Sequence, residues 1–159
     1  MNTESAEIID LESYDREKTK ELLGQLGGDV SSCFMCRTCT ASCPISVVDS
    51  RFNPLRIIRM ILYGLIDEVL SSDFVWLCSS CYSCQERCPQ GIRITDFMTN
   101  LKNMAVQQGY APAGVKAQMD IIRDAGRIYP LDDFDNKKRA KAGLPSLPTS
   151  CDVVKKLLE

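Results

Sequence analysis

Apolar residues recur at helical spacing in several stretches of the chain, and nowhere do they alternate in the period-two pattern of a strand bounded by turns. Asn53 followed by Pro54 is a good helix start, since asparagine caps free N–H groups and proline is tolerated in the first turn. Leu55, Ile58, Ile61 and Leu62 then fall near one face, and Gly64 supplies a stop. The longest apolar run, Ile57 to Val69, is interrupted by Arg59, Asp67 and Glu68 and is too short to cross a bilayer, so it reads as a buried helix. Ser72-Asp73 begins a shorter helical piece, FVWL, that leads into Cys78. Ile94, Phe97, Met98, Leu101, Met104 and Ala105 mark a further helix ending at Gly109. Two more are expected from Asp15 to Leu26, closed by Gly27-Gly28, and from Gly114 to Asp124. Beyond them LPSLPTS, Leu144 to Ser150, is proline-spaced and reads as extended, before a short amphipathic end, CDVVKKLLE. The fold class is all-α, with cysteine-bearing loops between helices.

Those loops carry an internal repeat. CFMCRTCTASCP begins at Cys33 and CSSCYSCQERCP at Cys78, each of the form C-x2-C-x2-C-x3-C-P. Cys33, Cys36, Cys39, Cys43 and Pro44 map onto Cys78, Cys81, Cys84, Cys88 and Pro89 with a constant offset of 45 residues. A cubane cluster presents four iron corners, each wanting a thiolate, and three cysteines at successive x2 spacings let one short loop meet three of them. The fourth cysteine leaves past a proline in a new direction, and in the bacterial two-cluster arrangement it ligates the other cluster. The spacing predicts one [4Fe-4S] cluster on Cys33, Cys36, Cys39 and Cys88, and a second on Cys78, Cys81, Cys84 and Cys43. Crossed ligation makes the metal part of the fold, so the apo chain is expected to be poorly stable.

Structural zinc is the alternative, since two C-x2-C pairs can form a four-thiolate site. Zinc uses four thiolates, however, and the chain offers two identical sets of four, each with a third cysteine at x2. Cys151 matches neither run and reads as a small buried hydrophobe or an exposed thiol.

The rest of the composition narrows the chemistry. Nine cysteines in 159 residues accompany no histidine, which excludes His-Cys zinc, histidine-ligated haem, a Rieske centre and a histidine base. No glycine-rich phosphate loop, nucleotide fingerprint or nucleophile–base pair is present. Clusters saturated by four cysteines leave no open iron for substrate, so the chain is expected to pass single electrons without catalysing a reaction alone. Arg37, Arg87 and Arg93 lie in or beside the loops, either favouring the reduced clusters or serving as surface salt-bridge residues. Net charge is −2, with eight acids against three bases in residues 1–30. Lys137, Lys138, Arg139 and Lys141 directly follow Asp132, Asp133 and Asp135 and read as a solvated surface, which argues against nucleic-acid binding. The acidic start MNTESAEIIDLESYDREKTK has no apolar core of a signal peptide, and cysteine-dense chains without export signals belong in reducing compartments, so a cytoplasmic location without membrane insertion is expected.

The blocks CFMCRTCTASCP, NPLRIIRMILYGL and WLCSSCYSCQERCPQGI together resemble the C subunits of heterodisulfide reductases, over roughly residues 31–108. The resemblance implies an α-helical ferredoxin with two [4Fe-4S] clusters, related to the C-terminal domain of succinate dehydrogenase and fumarate reductase iron–sulfur subunits. It also implies two partners: a flavin-containing A-type subunit that bifurcates electrons, and a B-type subunit with CCG repeats that reduces the coenzyme M–coenzyme B disulfide. This chain has no adjacent cysteine pair and is not expected to cleave the disulfide. A relay in a glycerol-3-phosphate, lactate or succinate/fumarate system is the alternative, although such proteins commonly carry extra domains. The expected organisation is an acidic segment with one helix over 1–30, the two-cluster domain over 31–126, and an extended tail over 127–159 as a candidate docking segment. In that tail Val153, Val154, Leu157 and Leu158 would form an apolar stripe, suited either to a partner groove or to the chain's own core.

Overall fold

The computed structural model describes Tyr14, residues 16–27 and residues 29–157, without the side chains of Lys18 and Lys155. Expectations that fall on Asp15, Gly28, Leu158 and the acidic residues before Ser13 lie outside the described residues. Two compact units meet in sequence between Tyr110 and Ala111. All regular elements among the described residues are helical, as expected.

The first unit contains α1 (Arg16–Leu26), a 3₁₀ turn at Val30–Ser32, α2 (Thr38–Ala41), α3 (Pro44–Val48), α4 (Pro54–Leu62), α5 (Ile66–Leu70), a second 3₁₀ turn at Phe74–Leu77, α6 (Ser83–Glu86) and α7 (Ile94–Gln107). Its core forms where α4, α5 and α7 turn apolar faces inward: Ile57, Ile58, Ile61, Val69, Leu70, Phe97 and Leu101 are almost wholly buried. Burial of each such side chain contributes about 1.5–3 kcal/mol before entropy is counted. The α7 face matches the expected stripe, with Met104 half-buried at its margin.

Asn53 caps α4 as expected, its Oδ1 accepting the Arg56 N–H at 3.0 Å. The same oxygen accepts the Thr40 hydroxyl at 2.8 Å, which ties the α2 helix of the first cysteine loop to the core helix. The apolar run from Ile57 to Val69 is not one helix, because the chain breaks between α4 and α5. Gly64 sits at φ +80°, its N–H on Ile61 O at 3.0 Å, while the Leu65 N–H reaches Met60 O at 2.9 Å. That pair of bonds is the Schellman closure, which needs a left-handed residue that only glycine supplies without strain. Two side-chain-to-backbone bonds then fix what flanks the loops. Asn100 Nδ2 donates to Leu26 O at the end of α1, and Lys102 Nζ donates to Cys78 O at the head of the second cysteine loop, each at 2.7 Å.

The second unit contains α8 (Ala113–Ala125), α9 (Asp133–Lys141) and α10 (Asp152–Leu157). The expected boundary after residue 126 therefore differs from the division observed. Helix α8 groups with the C-terminal helices because the Cys151 N–H bonds to Ala125 O at 3.0 Å, an approach that Gly126 permits by having no Cβ. The region from 127 onward is also not extended throughout. The acid–base cluster read as solvated surface forms α9: Asp132 and Asp135 make a reciprocal capping box, and Lys138, Arg139 and Lys141 occupy the last turn. Both placements favour the helix dipole. Leu144 to Ser150 is non-helical, as expected, yet held: Asn136 exchanges two bonds with the Leu147 backbone, at 3.0 and 2.9 Å, and Arg139 Nε donates to Pro145 O at 2.9 Å. In α10, Val153 and Leu157 are exposed while Val154 is half-buried. No helix among the described residues is long and apolar enough to cross a membrane.

A Cβ on residue 64 would lie 2.5 and 2.8 Å from ring carbons of Tyr14, in a backbone conformation unfavourable to it. Gly64→Ala is expected to cost about 2 kcal/mol or more, from left-handed strain plus displacement of that ring, read as a lower midpoint of anaerobic thermal unfolding. Asn136→Ala should free the backbone at Leu147, giving faster exchange of the Ser146 and Leu147 amides with iron content unchanged.

Candidate iron–sulfur centres

The repeat is conformational as well as chemical. Helices α2 and α6 stand at the same offset as the cysteines, each following a left-handed N-cap residue, Arg37 and Tyr82. Four non-glycine residues stand well inside the left-handed region: Met35 (φ 62°), Arg37 (66°), Ser80 (53°) and Tyr82 (65°), two matched pairs. A left-handed conformation costs a non-glycine residue about 1–2 kcal/mol. Four such residues confined to the cysteine loops mark loops shaped for something other than their own stability. Left-handed residues in a tight loop also turn successive backbone N–H groups toward one side, a concavity that suits an anion such as a sulfide-bearing cluster.

Cys33, Cys36, Cys39 and Cys88 line one small cavity, with Leu55, Ile58, Ile92 and Ile94 in its walls. Cys43, Cys78, Cys81 and Cys84 line the other, equally small, with Phe52, Pro54, Thr95 and Met98. Each run thus lends its fourth cysteine to the other run's cavity. All eight motif cysteines are brought together in these two sets, and Cys151 belongs to the second unit. None of the nine cysteines is in a disulfide.

The electrostatics repeat too. Cys36 and Cys81 are exposed, and each thiol is held below its ordinary pKa: Cys36 by the Thr38 hydroxyl and backbone N–H, Cys81 by the Ser83 backbone N–H and then its hydroxyl. Cys36 Sγ lies 3.3 Å from Thr38 Oγ1. Burial pushes the Cys39 and Cys84 thiols up, opposed by Thr40 and Thr95 respectively, with neighbouring thiolates raising both further. A cationic iron core would offset that penalty. Thr38 and Ser83 escaped the sequence reading, although a hydroxyl two residues after the second cysteine of each run was a visible signal. Arg93 pairs with Asp96 and so takes the salt-bridge role. Arg37 instead borders the first cavity, and Arg87 is exposed.

The donor set fits a polynuclear cluster. Each cavity has four soft sulfur donors, no carboxylate in its lining and an apolar wall.

A family model described as a 4Fe-4S dicluster domain matches residues 29–92. The chain is 39% identical over 143 residues to the C subunit of the ferredoxin:CoB-CoM heterodisulfide reductase of Methanosarcina mazei, covering 90% of this chain and 88% of that protein. It is 34% identical over 155 residues to the C subunit of the H(2):CoB-CoM heterodisulfide,ferredoxin reductase of Methanothermobacter thermautotrophicus, covering 96% and 82%. To the iron-sulfur C subunit of the CoB--CoM heterodisulfide reductase of Methanopyrus kandleri it is 34% identical over 130 residues, covering 82% and 67%. With two four-thiol cavities, a matching dicluster domain and relatives aligned along most of its length, the chain belongs to the family of heterodisulfide reductase C subunits, whose iron–sulfur domain carries two [4Fe-4S] clusters.

Proposed function

We propose that the chain is the electron-relay subunit of a cytoplasmic heterodisulfide reductase complex. It passes single electrons from a flavin-containing A-type subunit to a CCG-repeat B-type subunit that reduces the coenzyme M–coenzyme B disulfide. Cys33, Cys36, Cys39 and Cys88 would hold one cluster, and Cys78, Cys81, Cys84 and Cys43 the other. The observation that carries the reading is the exchange of Cys43 and Cys88 between the two cavities, which follows from the C-x2-C-x2-C-x3-C-P spacing. The sets are also close: Cys84, from the second cavity, is near enough to raise the Cys39 thiol of the first. A [4Fe-4S] cluster exchanges one electron at a time. The protein's own part is to hold two such groups at short range and surround them with apolar walls. Thr38, Ser83 and Thr95 supply hydroxyls to the sulfurs, which stabilises thiolate charge and tunes potential. With every motif sulfur committed, the disulfide chemistry falls to the partner.

Anaerobically purified protein should contain about eight iron and eight acid-labile sulfide per chain, with coupled paramagnets in the low-temperature EPR spectrum after reduction. Stoichiometric zinc without sulfide, in cells competent for cluster assembly, would overturn the redox reading. Cys43→Ser should remove chiefly the signal of the cluster on the second run, and Cys88→Ser chiefly that of the first, each lowering iron by up to about four per chain. The opposite pairing in matched spectra would reject the crossed assignment.

A further inference from the structure

Beside the first cysteine cavity opens a second kind of space, a cleft of about 480 Å³ between α2 and α4. Arg37 and Leu55 belong to the walls of both. The cleft gathers three guanidinium groups, Arg37, Arg56 and Arg59, over an apolar floor that includes Met60, and has no carboxylate in its lining. Among the described residues none of the three makes an ion pair, whereas Arg51, Arg93 and Arg123 each do. Arg59 lies over the Tyr63 ring at 5.8 Å, an arrangement that holds its position without neutralising its charge.

The stability of the fold does not account for this cluster. Arg56 stands in the first turn of α4, where the helix dipole disfavours a cation, and it gains no acid there in return. Three like charges converge on one cleft in a chain whose net charge is −2. Such an arrangement costs self-repulsion that an incoming anion would relieve. At the head of α4 the Arg56 N–H is taken by Asn53 Oδ1 and the Ile57 N–H by Asn53 O, so neither is left to cradle a phosphate. Recognition falls to side-chain forks, which match carboxylates in bidentate pairs, next to apolar surface for the flanking residues.

We propose that this cleft is the docking site for an acidic, carboxylate-bearing segment of the redox-partner subunit that exchanges electrons with the cluster on Cys33, Cys36, Cys39 and Cys88. The proposal rests on that cluster assignment. A carboxylate seated against Arg37 would be separated from the cluster cavity by one side chain. Docking then brings the partner's redox centre to the near cluster and gives association a salt-dependent rate.

The test uses holoprotein carrying Arg56→Glu with Arg59→Glu, and Arg56→Lys with Arg59→Lys. Iron, sulfide and EPR are measured first, then binding to purified A-type and B-type subunits separately at about 50 and about 500 mM salt. The Glu pair should keep both clusters, lose about tenfold or more in affinity for one subunit at low salt, and lose the salt dependence of that binding. The Lys pair, which keeps the charge but not the fork, should keep the salt dependence and restore only part of the affinity. Binding of both subunits within about twofold of wild type at both salts overturns the proposal. Tighter binding by the Glu pair also overturns it, since an acidic segment of this chain would then be the occupant. If the Glu pair loses iron, Arg59→Glu alone, outside the cysteine cavity, gives the same reading. A wild-type chain without two clusters would defeat the cluster assignment while leaving the salt-dependent binding to be judged by itself.

Discussion

Each of the two cavities gathers three sulfurs from one cysteine loop and a fourth from the other. Such an exchange requires the two loops to be held in place relative to each other by what surrounds them. Asn53 serves this by capping α4 and accepting the Thr40 hydroxyl with one oxygen. Lys102 serves it from the other side, reaching from α7 to the Cys78 carbonyl. The buried faces of α4, α5 and α7 form the wall against which both loops rest, and Ile58, Ile94 and Met98 belong at once to the core and to a cysteine cavity.

Opposing costs settle how the sulfurs are arranged. Thiolates crowd and repel one another, and burial disfavours their charge, which is why Cys39 and Cys84 are pushed toward the neutral form. Hydroxyls and loop N–H groups work in the other direction at Cys36 and Cys81. Four strained backbone positions are tolerated to bring those donors into place. The polypeptide alone gains little from this arrangement, and a bound metal–sulfide core gains a great deal.

Much of this was legible in the sequence, because it depends on spacing. The cysteine register, the Asn53-Pro54 cap, the α7 stripe and the stops at Gly64 and Gly109 are local signals, and the structure keeps each of them. What escaped depended on partners distant in sequence or on competition between local signals. For the Ile57–Val69 run two local signals competed, hydropathy reading one buried helix and Gly64 marking a stop within it, and the Schellman turn decides for the stop. The charged cluster is the exposed surface it reads as, but that it forms a helix, α9, depends on the Asp132–Asp135 box and on charges set along a dipole, which composition does not reveal. The two bonds between Asn136 and Leu147 join residues eleven apart, and no periodicity announces them. The arginine cleft was visible only as scattered residues until α2 and α4 brought Arg37 beside Arg56 and Arg59.

The exchange of Cys43 and Cys88 also has a consequence for the order of synthesis. As the chain leaves the ribosome, Cys33, Cys36 and Cys39 emerge early but wait for Cys88, the last of the eight to be made. The other set is complete in sequence only once Cys84 has emerged, so both become fillable almost together. Until then the nascent chain carries bare thiols and no finished pocket, open to oxidants and to stray metal. Cofactor delivery is thereby pushed past the point at which α4 and α5 exist, and a truncated product ending before Cys84 would have neither set of four.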